Sequence, residues 1–126
     1  MEALKTAMQQ LSPNFKRRFI IKSGEKLLSV NTDAVECFYS EDKYTFLLTK
    51  EGKKQIINYT LEQLKEVLNP ATFYRINRKY YININAIKDI ISYSGSRLKI
   101  NLNNLQQDDL TVSREKVSDF KQWLDQ

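Results

Sequence analysis

Short runs of branched and aromatic residues, separated by polar turn signals, fill the chain from Phe19 onward. Residues 19–22 and 26–30 are strand-like and flank Ser23-Gly24-Glu25, a pattern that predicts a β-hairpin. The same texture then repeats and predicts three further strands, at residues 34–39, 44–49 and 53–58, with a polar loop at 40–42. The first half of the chain is therefore predicted to be a β-meander.

The second half continues the strand pattern after one helix. Thr60-Leu61-Glu62-Gln63 fits a capping box, and the apolar positions that follow predict a helix that ends at Asn69-Pro70. Ser113 is predicted to be the N-cap of a C-terminal helix with one apolar face. Between the two helices, strands are predicted at residues 73–77, 80–82, 88–93, 97–102 and 110–112. These patterns indicate a mainly β domain with short helices.

A different pattern occupies the N-terminal residues. Leu4, Ala7, Met8 and Leu11 have helical spacing, and the Ser-Pro pair at residues 12–13 ends this helix. A basic cluster, Lys16-Arg17-Arg18, follows. We therefore expect residues 1–17 to be a linker helix and basic linker, and residues 18–126 to be one domain.

Size and hydropathy restrict the class of protein. A chain of 126 residues and 14.9 kDa suits one domain with a single core. It contains no apolar run of roughly 20 residues, so a membrane-spanning helix is not expected. The N-terminus also lacks the uninterrupted apolar stretch of a secretory signal. These features predict a cytoplasmic protein.

Histidine is absent, and Cys37 is the one cysteine. Zinc sites of the Cys/His kind, Ser-His-Asp triads, Cys-His nucleophiles and internal disulfides are therefore excluded. Two acidic pairs remain, Glu41-Asp42 and Asp108-Asp109, but neighbours along a strand face opposite ways, and turn residues are the simpler interpretation. We expect neither an enzyme nor a bound metal or cofactor.

The charge balance points to a polyanionic partner. Twenty Lys+Arg against fifteen Asp+Glu give a net charge of +5. Residues 73–87 concentrate this charge by combining three cations with three amides among apolar and aromatic residues. Arginine and asparagine can hydrogen-bond to base edges or phosphates, and lysine adds a point charge. Composition alone leaves open that Arg75 is structural and pairs with a carboxylate.

Residues 73–83, Phe-x-Arg-Ile-Asn-Arg-Lys-Tyr-Tyr-Ile-Asn, and the following Ile87-Lys88 resemble the signature of LytTR-type DNA-binding domains, output modules of many bacterial two-component response regulators. Further matches lie on both sides in the same order. They are Lys22-Ser23-Gly24, Tyr44, Leu61-Glu62-Gln63-Leu64, Gly95-Ser96-Arg97-Leu98 and Val112-Ser113-Arg114. The resemblance covers about residues 18–124 without large gaps.

The resemblance implies about ten short strands in small, mostly antiparallel sheets, with short helices. It also implies that three loops enter successive major grooves of double-stranded DNA, often as paired copies on direct repeats. Carried over by position, the DNA-binding residues are Lys43 and Tyr44 in the first loop, Asn77, Arg78 and Lys79 in the second, and Ser113 and Arg114 in the third, with Lys116 nearby and Arg75 just before the second loop. Asn77 stands where the family often has His, and Lys79 where it often has Ser.

Each of these residues has an alternative role. Tyr44 begins a predicted strand and could pack on a neighbour, and Arg75 is better suited to a phosphate contact or an internal brace than to base reading. Arg78 and Arg114 are the expected readers of base edges. Residues 16–18 form either a solvated linker or a supporting phosphate contact.

Two other classes of partner remain open. Six tyrosines could form a stacking surface for single-stranded nucleic acid or RNA, and the basic loops could instead meet an acidic protein. If the resemblance holds, the chain is the output domain of a phosphorelay regulator of transcription. The receiver domain would then be outside this chain, because these residues provide neither a second domain nor the acidic pocket that a receiver needs. A stand-alone regulator is the alternative.

Overall fold

A computed structural model describes residues 14–126. The helix predicted at residues 2–11 lies outside the described residues. Within them the structure has nine strands and two α-helices: β1 (Arg18–Ser23), β2 (Lys26–Asn31), β3 (Val35–Glu41), β4 (Tyr44–Thr49), β5 (Lys54–Ile57), α1 (Leu61–Val67), β6 (Phe73–Arg75), β7 (Tyr80–Asn83), β8 (Ile87–Tyr93), β9 (Arg97–Leu102) and α2 (Val117–Leu124).

The strands form one central sheet and two hairpins. The central five-stranded sheet has the order β5-β4-β3-β7-β6, and β1–β2 and β8–β9 are separate two-stranded sheets. Every pairing is antiparallel. The predicted mainly β fold is therefore confirmed. The predicted strand at 110–112 is reduced to a single bridge between Thr111 and Lys99.

The central sheet is buried on both faces, and this explains why β3 is apolar from Val35 to Tyr39 at every position except Glu36. Phe38 faces the β1–β2 hairpin and α1, where Phe19 packs 5.2 Å from its ring and Leu64 is fully buried. Cys37 and Tyr39 point to the opposite face, which β9 and α2 cover. Alternation along one strand thus supplies two hydrophobic clusters.

A buried carboxylate interrupts that run at Glu36. Its oxygens accept hydrogen bonds from the backbone N–H (2.9 Å) and Nδ2 (3.1 Å) of Asn104, beyond the end of β9. Burial raises the pKa of Glu36, although these hydrogen bonds oppose the shift. The side chain therefore anchors the segment after β9 to the central strand.

The predicted helices are present, with one correction. Both halves of the capping box form at α1, because Thr60 and Gln63 exchange hydrogen bonds of 2.9 and 3.0 Å. Ser113 was expected to cap the C-terminal helix, but its side chain makes no capping hydrogen bond. A 3₁₀ turn, Arg114–Lys116, follows it, and α2 begins only at Val117. The backbone of Ser113 is used instead to join two loops.

Candidate nucleic-acid interface

The first predicted loop is the tight turn between β3 and β4. Glu41 pairs with Tyr44, so the turn consists of Asp42 and Lys43, both with left-handed φ angles of 51° and 71°. The predicted loop at 40–42 is therefore too early, because Ser40 and Glu41 belong to β3. Tyr44 is 56% exposed, so its ring does not lie in the core. Within residues 14–126, no side-chain hydrogen bond or ion pair involves Lys43 or Tyr44.

The second loop joins β6 to β7, and Asn77 organises it. Its Oδ1 accepts hydrogen bonds from the backbone N–H groups of Lys79 (2.8 Å) and Tyr80 (3.1 Å). Its Nδ2 donates to the carbonyls of Thr111 (2.7 Å) and Asp109 (3.1 Å). The amide is thus engaged inside the fold. The predicted strand at 73–77 ends at Arg75, because the chain then turns around the Asn77 side chain.

Arg75 braces the same loop from the other side. Its Nε donates to the carbonyl of Asn77 (3.2 Å), and its Nη2 donates to the carbonyl of Arg78 (2.8 Å). Nη2 also forms an ion pair with Glu62 at 3.2 Å. The backbone N–H of Glu62 itself and the Arg75 guanidinium lower the pKa of the Glu62 carboxyl. This arrangement matches the internal brace that composition left open for Arg75.

A second ion pair involves Lys79, whose Nζ lies 2.9 Å from Oδ2 of Asp109. Oδ1 of Asp109 accepts a hydrogen bond of 2.6 Å from the Tyr80 hydroxyl. Burial alone would raise the pKa of Asp109, but the Tyr80 and Lys79 hydrogen bonds outweigh it and hold the pKa below its usual range. Asp109 lies at a turn, as expected, and it also fixes the second loop.

The third loop, Ser113 with the 3₁₀ turn that follows, is joined to the second. The backbone N–H of Ser113 donates to the carbonyl of Ile76 (2.9 Å), and Nζ of Lys116 donates to the carbonyl of Arg75 (3.0 Å). Burial, followed by the nearby Arg75 charge, lowers the pKa of Lys116. The second and third loops therefore form one unit of structure.

Arg78 and Arg114 differ from the other cations of these loops. Both are exposed, and among residues 14–126 neither guanidinium has a hydrogen-bond or ion-pair partner. Arg114 extends toward the β8–β9 turn, where Nη2 would lie 3.6 Å from a Cβ placed at Gly95. Both side chains thus offer donors that the fold does not use.

Two adjoining surface grooves bring most of the predicted residues together. The grooves share Glu62, Arg75 and Arg78. One of them extends to Lys43 and Tyr44, and the other extends to Ser113 and Lys116. Asn77 and Lys79 lie behind this surface in the loop network, and Arg114 lies beside the β8–β9 turn. The three predicted loops therefore meet on one side of the molecule.

Sequence reasoning did not identify Glu62 or Asp109 as part of this arrangement. Glu62 was assigned to a capping motif and to a stretch that resembles the family, without a role at the site, and Asp109 was interpreted as a turn residue. Their partners are 13 and 30 residues away along the chain, so local patterns carry no signal for either pair.

The basic cluster before β1 is partly structural. Nζ of Lys16 lies over the rings of Phe19 (5.2 Å) and Tyr59 (5.4 Å), and its backbone N–H donates to the carbonyl of Val67. Arg17 and Arg18 are exposed. In the part of the chain that the structure describes, no helix is both long and apolar enough to cross a membrane.

Comparison with known proteins identifies the family. The chain is 27% identical over 91 residues to transcriptional regulatory protein YpdB of Escherichia coli (strain K12) and of Shigella flexneri, a match that covers 71% of this chain and 36% of each relative. The chain thus spans about a third of the length of these relatives.

A solved structure has the same fold. It is the LytTr DNA-binding domain of a methyl-accepting/DNA response regulator from Bacillus cereus, with a TM-score of 0.75, 24% identity and coverage of 86% of this chain and 97% of that one. The family of LytTr DNA-binding domains matches residues 25–125. The chain therefore belongs to the LytTr DNA-binding domain family.

Proposed function

We propose that the domain binds duplex DNA in a sequence-specific way, by inserting the three loops into successive major grooves. The observation that carries this proposal is the contrast among the cations. Arg75, Lys79 and Lys116 are bonded within the fold, whereas Arg78 and Arg114 are exposed without partners among the described residues. Forked donors on a rigid backbone suit the recognition of base edges.

Within this proposal, the predicted residues have distinct roles. Arg78 and Arg114 read base edges, and Lys43, Tyr44 and Ser113 contact the backbone or the groove wall. The remaining residues hold the loops in place for them: Arg75, Asn77, Lys79 and Lys116. This assigns Asn77 a positioning role, because its amide already has four hydrogen bonds.

Burial of the tyrosines favours duplex over single-stranded nucleic acid. Tyr39, Tyr80 and Tyr81 belong to the hydrophobic clusters, and Tyr74 packs against Phe120 and Trp123 of α2. A stacking surface needs several exposed rings in a row. Three of the six tyrosines considered for such a surface are buried in the core and are not available for stacking.

We also propose that the domain acts in transcription, as the output module of a response regulator in the cytoplasm, and that two copies bind neighbouring direct repeats. The support is the family itself and the relative named as a transcriptional regulatory protein. A domain of this size covers a short site, and pairing raises the effective concentration of the second copy. Shifting the repeats by about half a helical turn should then weaken binding strongly, and equal affinity at every spacing would exclude pairing.

Truncation of the two free arginines tests the assignment of base reading. Arg78→Ala and Arg114→Ala should each cost about 1–3 kcal/mol on a site selected from random duplex, and less on random duplex, because only a base contact depends on sequence. Arg18→Ala removes an equal charge outside the loops and should change both affinities by the same factor. Equal losses on both duplexes for the loop variants would make them phosphate contacts. Displacement of the duplex by single-stranded DNA or RNA at equal nucleotide concentration would exclude the proposal.

A further inference from the structure

A carboxylate lies in the middle of the cationic surface. Glu62, in the first turn of α1, lines both adjoining grooves together with Arg75 and Arg78, whereas a second carboxylate, Glu115, lines only one of them. The Glu62 side chain is 73% exposed, so packing in the core does not explain why a carboxylate is found here. An acidic residue at this place opposes the attraction of phosphates, and a surface selected only for affinity would not contain it.

The partner of Glu62 is the residue that braces the second loop. Nη2 of Arg75 lies 3.2 Å from the Glu62 carboxylate and 2.8 Å from the carbonyl of Arg78. One guanidinium nitrogen thus connects α1 to the residue proposed to read bases. The carboxylate restricts the orientations of Arg75 and neutralises a cation that would otherwise bind phosphate on any sequence.

We propose that Glu62 is a positioning residue that raises sequence discrimination by holding Arg75 as a loop brace and by limiting phosphate attraction on every sequence. The inference rests on the proposed function. Removing the carboxylate increases the net positive charge of the grooves and strengthens binding to any duplex. It also loosens the backbone that carries Arg78, and this loss affects only the preferred site.

The test compares Glu62→Gln and Glu62→Ala with Glu51→Gln. The Gln variant keeps an acceptor for Arg75 without the charge, and the Ala variant loses both. Glu51 is an exposed carboxylate in the β4–β5 turn, at the other end of β4 from Tyr44, so it controls for net charge. Affinities for random duplex and for a selected site are measured by titration at one salt concentration, with urea unfolding of each variant.

We expect Glu62→Gln to raise the affinity for random duplex about two- to fivefold, the range of an exposed ion pair, and to raise that for the selected site less. The ratio of the selected-site affinity to the random-duplex affinity should therefore fall in Glu62→Gln. It should fall further in Glu62→Ala and stay unchanged in Glu51→Gln. When Arg75 is already replaced by Gln, the brace is absent, so the additional change Glu62→Gln should lower the ratio less than it does in the wild-type background. A double-mutant cycle measures this coupling between Glu62 and Arg75.

Two results would overturn the inference in distinguishable ways. If the wild-type domain does not discriminate among duplexes, the proposed function and this inference both fail. If the wild type discriminates but Glu62→Gln and Glu51→Gln have the same ratio of affinities, only the role of Glu62 fails. Unchanged unfolding free energies would show that any change in the ratio does not come from lost stability.

Discussion

The β3–β4 turn and the joined second and third loops lie on the same surface but are stabilised in opposite ways. The turn is held by its flanking strands and by two left-handed residues, Asp42 and Lys43. The joined loops are held by side chains, because Asn77, Arg75 and Lys116 all donate to backbone carbonyls of these loops or of the segment leading to them.

This difference separates two ways of building a binding loop. A two-residue turn between paired strands needs no side-chain support, so its side chains are available to a ligand. A longer loop loses conformational entropy on binding unless it is ordered beforehand, and internal hydrogen bonds supply that order during folding. We therefore expect changes in the joined loops to lower both stability and binding, and changes in the turn to lower binding without a loss of stability.

Asn77→Ala should have the largest effect. It removes four hydrogen bonds at once, three of them partly buried, and should lower the free energy of unfolding by about 2–3 kcal/mol. Affinity for the selected site should fall as well, because the second loop loses its hydrogen bonds to the carbonyls of Asp109 and Thr111. Urea unfolding and duplex titration measure the two losses. Asn103→Ala removes an exposed amide and should have almost no effect; a stable Asn77→Ala domain with normal affinity would contradict the role of the network.

The acid dependence of stability should report on Asp109. Its folded-state pKa is held below the usual value, so it contributes stability that is complete above the unfolded-state pKa and is lost as the pH falls through the folded-state pKa. Asp109→Asn should lower stability near neutral pH and flatten this acid loss. Because the Asp109 side chain is 54% exposed, solvent screening should keep the effect below that of Asn77→Ala.

Urea unfolding at several values between about pH 7 and pH 3 measures this dependence. Asp108→Asn is the matched control, since its ion pair with Lys99 at 3.3 Å is more exposed. An equal change in the pH profile for both variants would mean that Asp109 has no special role in fixing the second loop.

The turn should respond in a different way to substitution. Lys43→Gly relieves a left-handed φ of 71° and should raise the unfolding free energy by up to about 1 kcal/mol, while the log–log salt slope of duplex binding falls by roughly 1. Asp42→Gly relieves the neighbouring φ of 51° without removing a cation and should not lower affinity. If Lys43→Gly keeps the full salt slope, the first loop does not contact phosphate.

Local features of this fold were predictable, and its long-range contacts were not. The capping box at Thr60 and the apolar run of β3 depend on neighbouring residues, and both are present as predicted. The hydrogen bonds of Asn77 join residues 32 and 34 positions apart, and the sequence contains no marker of that pairing. The family resemblance identified which loops carry the cations, but only the folded structure separates braced cations from free ones.

The smallest expected effect concerns the basic residues before β1, which belong to neither kind of loop. Arg17 and Arg18 are exposed. The double variant in which both are replaced by Ala should therefore reduce the log–log salt slope of duplex binding slightly and leave sequence preference and stability unchanged. Lys16 packs over two aromatic rings, so Lys16→Ala should instead lower stability by about 0.5–1 kcal/mol. Duplex titrations at several salt concentrations, with urea unfolding, separate the two outcomes. An unchanged slope for the arginine double variant would confine the DNA contacts to the three loops. A change in sequence preference would show that base reading extends beyond them.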